Sequence, residues 1–345
     1  MTTAQTLPNT MRALLVRETG WPNRMQVAEV PRPAAQALDA DSVLVRVRAA
    51  GLNFADTLSI AGSYQEKQQL PFVPGAELCG EVAAVGAGVQ GLQLGERVMG
   101  QVGAGAYAEW AVVHKDRLAR VPAGMPDAQA AGFYIPYGTA LCALRERGRL
   151  AAGETLLVLG AAGAAGLAAV QVGKALGARV IGISRSPAKR EAVMQAGADA
   201  FVAWSSGDLK DALGKAGVDP GVDVVLDMVG GDASAAAMRC LNFEGRLVVV
   251  GFTSGQAPAL RANHILVKNI DIVGCYWGPY QQLRPVQTRR AFDTLLAWYG
   301  AGLLRPQIAD SVPLEGVAHA LEQLACGAYA GKVVAQISIP SGASE

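Results

Sequence analysis

The chain has 345 residues, of which 51% are hydrophobic and 17% are charged. This length predicts two domains, and the apolar content supplies enough side chains for two sizeable cores. The 30 basic and 29 acidic residues leave a formal net charge of +1, which argues against a nucleic-acid partner or an anionic membrane surface.

The chain ends and the cysteines indicate a cytoplasmic protein. The first residues, MTTAQTLPNTMR, lack a basic start followed by an apolar core, so no secretory signal is expected. We expect the residues before Met11 and Ser341–Glu345 to be unstructured. The five cysteines are far apart and form no CxxC pair, which makes disulfides unexpected. The uncharged stretch 155–173 contains many small residues and a strand-to-helix break, so it indicates a buried βα unit instead of a membrane span.

The N-terminal third of the chain has the pattern of a β domain. Short β runs separated by glycine turns occupy residues 12–16, 42–48, 80–86, 96–99 and 107–113. Polar and apolar residues alternate cleanly in 42–48, as in a half-buried strand. These runs predict a barrel-like β domain.

From Pro126 onward, helices and apolar strands alternate. Strands are predicted at 155–159, 179–183, 200–203, 222–227, 245–251 and 270–275, and helices at 128–144, 163–176, 187–196, 208–215 and 232–241. Near-continuous apolar strands of this kind require a parallel sheet covered on both faces, so we predict an α/β doubly wound domain. The remaining helices, 288–299 and 314–325, and the strand 331–337 are expected to return to the N-terminal part.

The sharpest motif is the glycine turn between the first strand of this series and the helix after it. Its candidate ligand-binding residues are Gly160, Ala161, Gly163, Ala164, Ala165 and Gly166. Three glycines spaced by three allow a tight turn, close approach of a ligand and close helix–strand packing. The N–H groups that begin the helix suit a pyrophosphate, so the turn predicts a dinucleotide site.

The end of the next strand predicts which dinucleotide is bound. An acidic residue that would hold the ribose hydroxyls of NAD is absent there, whereas Ser184, Arg185 and Lys189 can meet a 2′-phosphate. NADP(H) is therefore expected; the alternative is that the two cations only solvate the start of a helix. Asp227 ends a later strand and either lines the cofactor site or caps its own loop.

Several stretches together resemble one family. They are residues 51–57 (GLNFADT), 70–77 (LPFVPGAE), 137–140 (YGTA), 160–166 (GAAGAAG), 229–232 (VGGD) and 331–334 (GKVV). The chain is identified on them as a member of the medium-chain dehydrogenase/reductase superfamily, and resembles its zinc-free, zeta-crystallin-like quinone oxidoreductases. The resemblance implies a GroES-like β-barrel catalytic domain, residues 11–127, completed by a return segment, 276–340, and a Rossmann NADP(H)-binding domain, 128–275.

The zinc ligands of related dehydrogenases are replaced in this sequence. Their places hold Asn53, Ala76 and, approximately, Tyr137, and the loop with four cysteines for a structural zinc is missing. Amide, methyl and phenol groups do not form a zinc site. We therefore expect no metal.

The reaction then depends on hydrogen-bond donors near a good hydride acceptor. The candidates are Asn53, Tyr64 and Tyr137. The resemblance further implies cofactor contacts by Thr139, Gly251, Phe252, Thr253 and Lys332. The structural alternatives are loop stabilisation by Asn53 and Thr139 and simple shielding by Tyr64, and Asp56 is expected to cap a helix more than to act as a base.

The combined motifs predict an NADPH-dependent reductase of a quinone. Two alternatives stay open: a reductase of α,β-unsaturated carbonyls or enoyl thioesters, and a non-catalytic NADPH-binding module. The apolar strand 270–275 is expected at a sheet edge, where pairing with a second copy would give a homodimer.

Overall fold

The computed structural model describes residues 9–20, 24–219 and 221–338. Residues 1–8 of the predicted N-terminal extension and Ser341–Glu345 lie outside the described residues. No helix in the described ranges has both the length and the hydropathy that crossing a bilayer requires.

The strands are β1 (Thr10–Val16), β2 (Met25–Pro31), β3 (Ser42–Gly51), β4 (Glu77–Val85), β5 (Arg97–Gln101), β6 (Trp110–His114), β7 (Leu118–Arg120), β8 (Thr155–Leu159), β9 (Arg179–Ser184), β10 (Ala200–Ala203), β11 (Val222–Asp227), β12 (Leu241–Val249), β13 (Asp271–Gly274), β14 (Ile308–Pro313) and β15 (Lys332–Gln336). The helices are α1 (Phe54–Ile60), α2 (Asp127–Ala131), α3 (Tyr134–Leu141), α4 (Ala164–Ala175), α5 (Arg190–Gln195), α6 (Leu209–Lys215), α7 (Gly231–Cys240), α8 (Ala262–Lys268), α9 (Trp277–Leu283), α10 (Pro285–Gly300) and α11 (Val317–Ala325). A π-helical segment, Cys142–Arg147, continues α3.

The described chain divides into two compact units. Unit 1 contains the residues up to Tyr134, Ile308–Ala328 and the residues from Lys332 onward. Unit 2 contains Ile135–Gln307 and Tyr329–Gly331.

Unit 1 is built from both ends of the chain. Its larger sheet has the order β14-β15-β3-β4-β5-β7, with β6 also paired to β3, and β1 and β2 form a separate antiparallel pair. The C-terminal β15 pairs with β3 in antiparallel register, Val334 opposite Gly51. Apolar residues from several strands, including Met11, Leu44 and Trp110, form a shared core. The C-terminal strand therefore completes the N-terminal β domain, as the sequence predicts.

Unit 2 is the doubly wound domain. Its sheet has the order β10-β9-β8-β11-β12-β13, and all neighbouring strands are parallel. The strand order reverses between β8 and β11, and ligands of such sheets bind at the carboxyl ends of the strands at this point. The glycine turn follows β8 at the same edge.

Two features differ from the sequence predictions. The predicted helix 128–144 is interrupted after α2, whose C-cap is Gly132. A Cβ at Gly132 would lie 2.7 Å from the Lys332 side chain, so the break falls at a residue without a side chain. Residues 276–307, which the sequence analysis assigned to the return segment, belong to unit 2. Trp277 explains this placement, since its ring packs where Gly138 of α3 has no side chain and its ring centroid lies 6.2 Å from that of Phe292 on α10.

Candidate active site

The glycine turn in unit 2 is stabilised by backbone hydrogen bonds between residues three or four positions apart. Gly160 follows β8 with φ of 74°, a conformation that favours glycine. The N–H of Gly163 donates to the carbonyl of Gly160 (3.1 Å), and the N–H of Leu167 donates to the carbonyl of Gly163 (2.8 Å). Gly163 is therefore the N-cap of α4, and the helix begins at Ala164, one residue later than predicted.

Gly166 and Gly163 have different roles in this turn. A Cβ on Gly166 would lie 2.2 Å from the Gly160 carbonyl oxygen, so this glycine allows α4 to pack on the turn. At Gly163 the nearest atom would be 3.7 Å away, and the residue is exposed. The N–H groups of Ala164 and Ala165 belong to the first helical turn, which has no acceptors of its own. An anion can therefore approach the start of α4 past Gly163.

Ala161 connects the glycine turn to the sheet of unit 2. It is fully buried, and its N–H donates to the carbonyl of Ile183 (2.9 Å). Nearby, the N–H of Gly331 donates to the Ala162 carbonyl (3.0 Å). These bonds connect the turn to β9 and to the segment Tyr329–Gly331.

The end of β9 concentrates positive charge. Arg185 is exposed, Ser184 and Lys189 are half-buried, and the Lys189 Nζ donates to the carbonyl of Tyr329 (2.8 Å). Burial and the neighbouring Arg185 guanidinium lower the pKa of Lys189. A bound phosphate would offset the repulsion between the two cations, so these residues fit a 2′-phosphate.

Asp227 stabilises its own loop. Its side chain is completely buried, and Oδ1 accepts from the N–H groups of Val229 (2.9 Å) and Gly230 (3.0 Å). The Ser234 hydroxyl donates to Oδ2. These bonds match the loop-capping alternative, and the cofactor contact predicted for Asp227 competes with three protein donors.

The loop after β12 lies on the loop after β11. The N–H of Gly251 donates to the Asp227 carbonyl (3.4 Å), and the N–H of Thr253 donates to the Met228 carbonyl (3.1 Å). Phe252 between them is 38% exposed, as a residue that caps a bound ring would need to be.

Tyr137 and Thr139 lie on α3, and only Thr139 is partly exposed. The Tyr137 hydroxyl donates to Oε1 of Gln171 (2.9 Å), which also accepts from the Arg305 N–H (2.7 Å). Burial raises the pKa of Tyr137. The phenol thus has a protein acceptor within unit 2, which competes with the proton-donor role predicted for Tyr137.

Unit 1 contains a buried ion pair that the sequence does not reveal. The Lys332 Nζ donates to Oε2 of Glu77 (2.6 Å) and to Oδ1 of Asn53 (2.8 Å), and Lys332 and Glu77 are 2% and 0% exposed. The Asn53 amide nitrogen lies 3.2 Å from the Gly51 carbonyl oxygen and 3.4 Å from Glu77 Oε2. The predicted cofactor contact of Lys332 thus competes with two protein acceptors, and the donor role of Asn53 competes with two others.

Asp56 is joined to this cluster through the backbone of Asn53. Its Oδ2 accepts from the Asn53 N–H (2.8 Å) and from the Tyr107 hydroxyl (2.6 Å). Asp56 and Asn53 form the capping box of α1, as predicted. Burial raises the pKa of Asp56 to about 6, although both hydrogen bonds oppose this.

Tyr64, like Asn53, is a predicted donor that is half-buried. Tyr64 follows α1 in unit 1, and its N–H donates to the Leu58 carbonyl (3.1 Å).

Sequence reasoning missed two residues of this cluster, Glu77 and Tyr107. For Glu77 a signal was available, namely an acidic residue at the start of an apolar strand. Among the described residues, no group of three His, Cys, Asp or Glu side chains is arranged to hold a metal ion.

Comparison with known proteins places these features in context. Residues 39–123 match the model of the alcohol dehydrogenase GroES-like domain, and residues 164–293 match that of the zinc-binding dehydrogenase. The chain is 39% identical to quinone oxidoreductase-like protein 2 of Bos taurus, covering 94% of this chain and 91% of that protein. It is 31% identical to the quinone oxidoreductase of Rattus norvegicus, covering 94% of this chain and 96% of that protein.

A solved structure shows the same architecture. The crystal structure of Escherichia coli quinone oxidoreductase complexed with NADPH superimposes with a TM-score of 0.86 at 28% identity, covering 94% of this chain and 99% of that one. The predicted fold class, a GroES-like domain with a Rossmann domain, is confirmed.

Proposed function

Because this chain belongs to the quinone oxidoreductase family of the medium-chain dehydrogenase/reductase superfamily, we propose that it reduces a quinone with NADPH. The observation that carries the proposal is the glycine turn of unit 2 with two cations at the end of the neighbouring strand. Family membership supports an oxidoreductase, and the choice of quinone is the part that needs testing.

NADP(H) is the cofactor that these residues fit. The open side of Gly163 admits a pyrophosphate, and Arg185 and Lys189 suit a 2′-phosphate. When bound, NADPH supplies the hydride. Thr139 and Phe252 are the residues of unit 2 that we assign to the nicotinamide end, because both keep an exposed surface.

In unit 1 we assign the proton to Tyr64 and carbonyl binding to Asn53. A quinone accepts a hydride readily and then needs a proton or a hydrogen bond at its oxygen. Tyr64 keeps part of its side chain exposed. Asn53 reaches substrate by exchanging one of its two long amide contacts, while Lys332 holds its oxygen in place.

The reaction is proposed to run without zinc. The donor set argues for this, because an amide and a methyl group stand at the positions of Asn53 and Ala76, where zinc-dependent relatives carry ligands. The Asn53 oxygen is moreover occupied by the ammonium of Lys332, which leaves no place for a cation beside it.

The proposed assembly is a homodimer in the cytoplasm. The edge of the unit 2 sheet, β13, exposes Asp271 and Ile272, so this part of the edge can pair with a second copy. All five cysteines are free, as in a reducing compartment. Sedimentation velocity at micromolar concentration tests the dimer, and a monomer under these conditions would refute it.

The activity is tested by following NADPH absorbance with benzoquinone, naphthoquinone, an enone and a crotonyl thioester. We expect oxidation with the two quinones to be fastest. Faster turnover of the enone or the thioester would replace the quinone assignment by the alternative reductase. Binding of NADPH without oxidation by any acceptor would instead support a non-catalytic NADPH-binding module.

A further inference from the structure

Two cysteines that the proposed reaction does not use meet in unit 2. Cys142 begins the π-helical segment after α3, and Cys275 directly follows β13. Both residues line the same cavity, and each thiol shifts the pKa of the other. Both are free, buried thiols, 2% and 7% exposed.

The pair lines an open cavity of about 240 Å³. Two guanidinium groups, those of Arg147 and Arg284, belong to the same lining, together with Tyr280. Arg147 is held at this position because its Nε donates to the carbonyl of Gly274 (2.9 Å). The cavity therefore combines two thiols with two positive charges, which attract a small anionic molecule.

The two thiols differ in acidity. The Cys142 thiol, together with the charge of Arg147, lowers the pKa of Cys275 although burial opposes this. The Cys275 thiol and burial raise the pKa of Cys142. Since the thiolate is the nucleophile, Cys275 is suited to attack, and Cys142 is suited to keep its proton until a second step.

We propose that Cys142 and Cys275 form a redox-active dithiol that exchanges with small anionic disulfides of the glutathione class. The Cys275 thiolate attacks one sulfur of the disulfide, forms a mixed disulfide and releases one thiolate, which takes a proton from water. The Cys142 sulfur then attacks Cys275, its proton goes to the second leaving thiolate, and an intramolecular disulfide remains. The protein loses two electrons and two protons, and the small disulfide gains them as two thiols.

The test uses the full chain carrying Cys326→Ser, which removes the exposed cysteine. After incubation with glutathione disulfide, alkylation and peptide mapping are expected to show a Cys142–Cys275 link, while buried Cys79 and Cys240 stay alkylatable after unfolding. With Cys142→Ser added, a mixed disulfide is expected to accumulate on Cys275. With Cys275→Ser added instead, Cys142 is expected to remain unmodified.

The charge of the cavity is tested with a neutral probe, bis(2-hydroxyethyl) disulfide. We expect glutathione disulfide to form the link about tenfold faster than the neutral probe, and Arg284→Gln to reduce this preference to about threefold or less. Equal rates with both probes in the Cys326→Ser chain would refute the role of the arginines. The proposal is overturned if all four remaining thiols are still alkylated after exposure to glutathione disulfide, or if Cys79 and Cys240 react as fast as the pair.

Discussion

Replacing Gly166 by alanine separates the packing role of the glycine turn from its binding role. The added Cβ would lie 2.2 Å from the Gly160 oxygen and 2.7 Å from the Ala161 Cα. Relieving these contacts requires a displacement of roughly 1 Å between α4 and the turn. Overpacking of this kind costs about 1–3 kcal/mol, which corresponds to roughly 3–10 °C in Tm for a domain of this size.

Gly163→Ala is the matched control. Its Cβ meets nothing closer than 3.7 Å, so Tm is expected to stay within about 2 °C of the wild type. The same Cβ stands where a pyrophosphate would approach, so the Kd for NADPH is expected to rise by about tenfold or more. Thermal unfolding and NADPH titration of both variants measure the two effects. An unchanged Tm for Gly166→Ala, or an unchanged Kd for Gly163→Ala, would refute the roles assigned to the turn.

Four further substitutions test residues around the glycine turn and in unit 1. Arg185→Ala is expected to raise the KM for NADPH about tenfold and to leave that for NADH nearly unchanged, because only the 2′-phosphate meets the guanidinium; equal changes would remove this assignment. Asp56→Asn is expected to flatten the dependence of stability on pH, since the amide oxygen can accept both hydrogen bonds that the single carboxylate oxygen accepts. Burial raises the pKa of Asp56 from 3.8 to about 6, so its favourable contribution is present below pH 4 and is lost as pH rises through 6, by about 3 kcal/mol. Urea unfolding from pH 4 to 7 measures this, and parallel pH curves for the two proteins would contradict it. Tyr64→Phe is expected to lower kcat about 100-fold. Tyr137→Phe loses the bond to Gln171, which lowers stability by about 1 kcal/mol and lowers Tm, and it keeps kcat within about twofold. The reverse pattern in kcat and Tm would exchange the roles of the two tyrosines.

Local patterns predicted the part of the site that is close in sequence. The turn between β8 and α4 appears within one residue of its predicted bounds, because strand periodicity, glycine spacing and the helix that follows are all local signals. The end of β9 was predictable for the same reason. Asp227 shows the limit of this reasoning, since the end of a strand gives its position and not the direction of its carboxylate.

Contacts between distant residues could not be predicted. Lys332 and Glu77 are 255 positions apart, and only the pairing of β15 with β3 explains how the C-terminal strand reaches the N-terminal sheet. The same holds for Asp56 with Tyr107, and for Trp277, whose packing on Gly138 places α9 in unit 2. The side-chain partners of these residues follow from how distant strands and helices pack, which local patterns do not give.

We expect the glycine turn and its neighbouring cations to bind NADPH. Calorimetric titration of the wild-type chain with NADPH and, separately, with NADH measures it most directly. We predict one NADPH bound per chain, with a Kd at least about tenfold lower than that of NADH. Equal affinity for both dinucleotides, or no heat with either, would contradict the account.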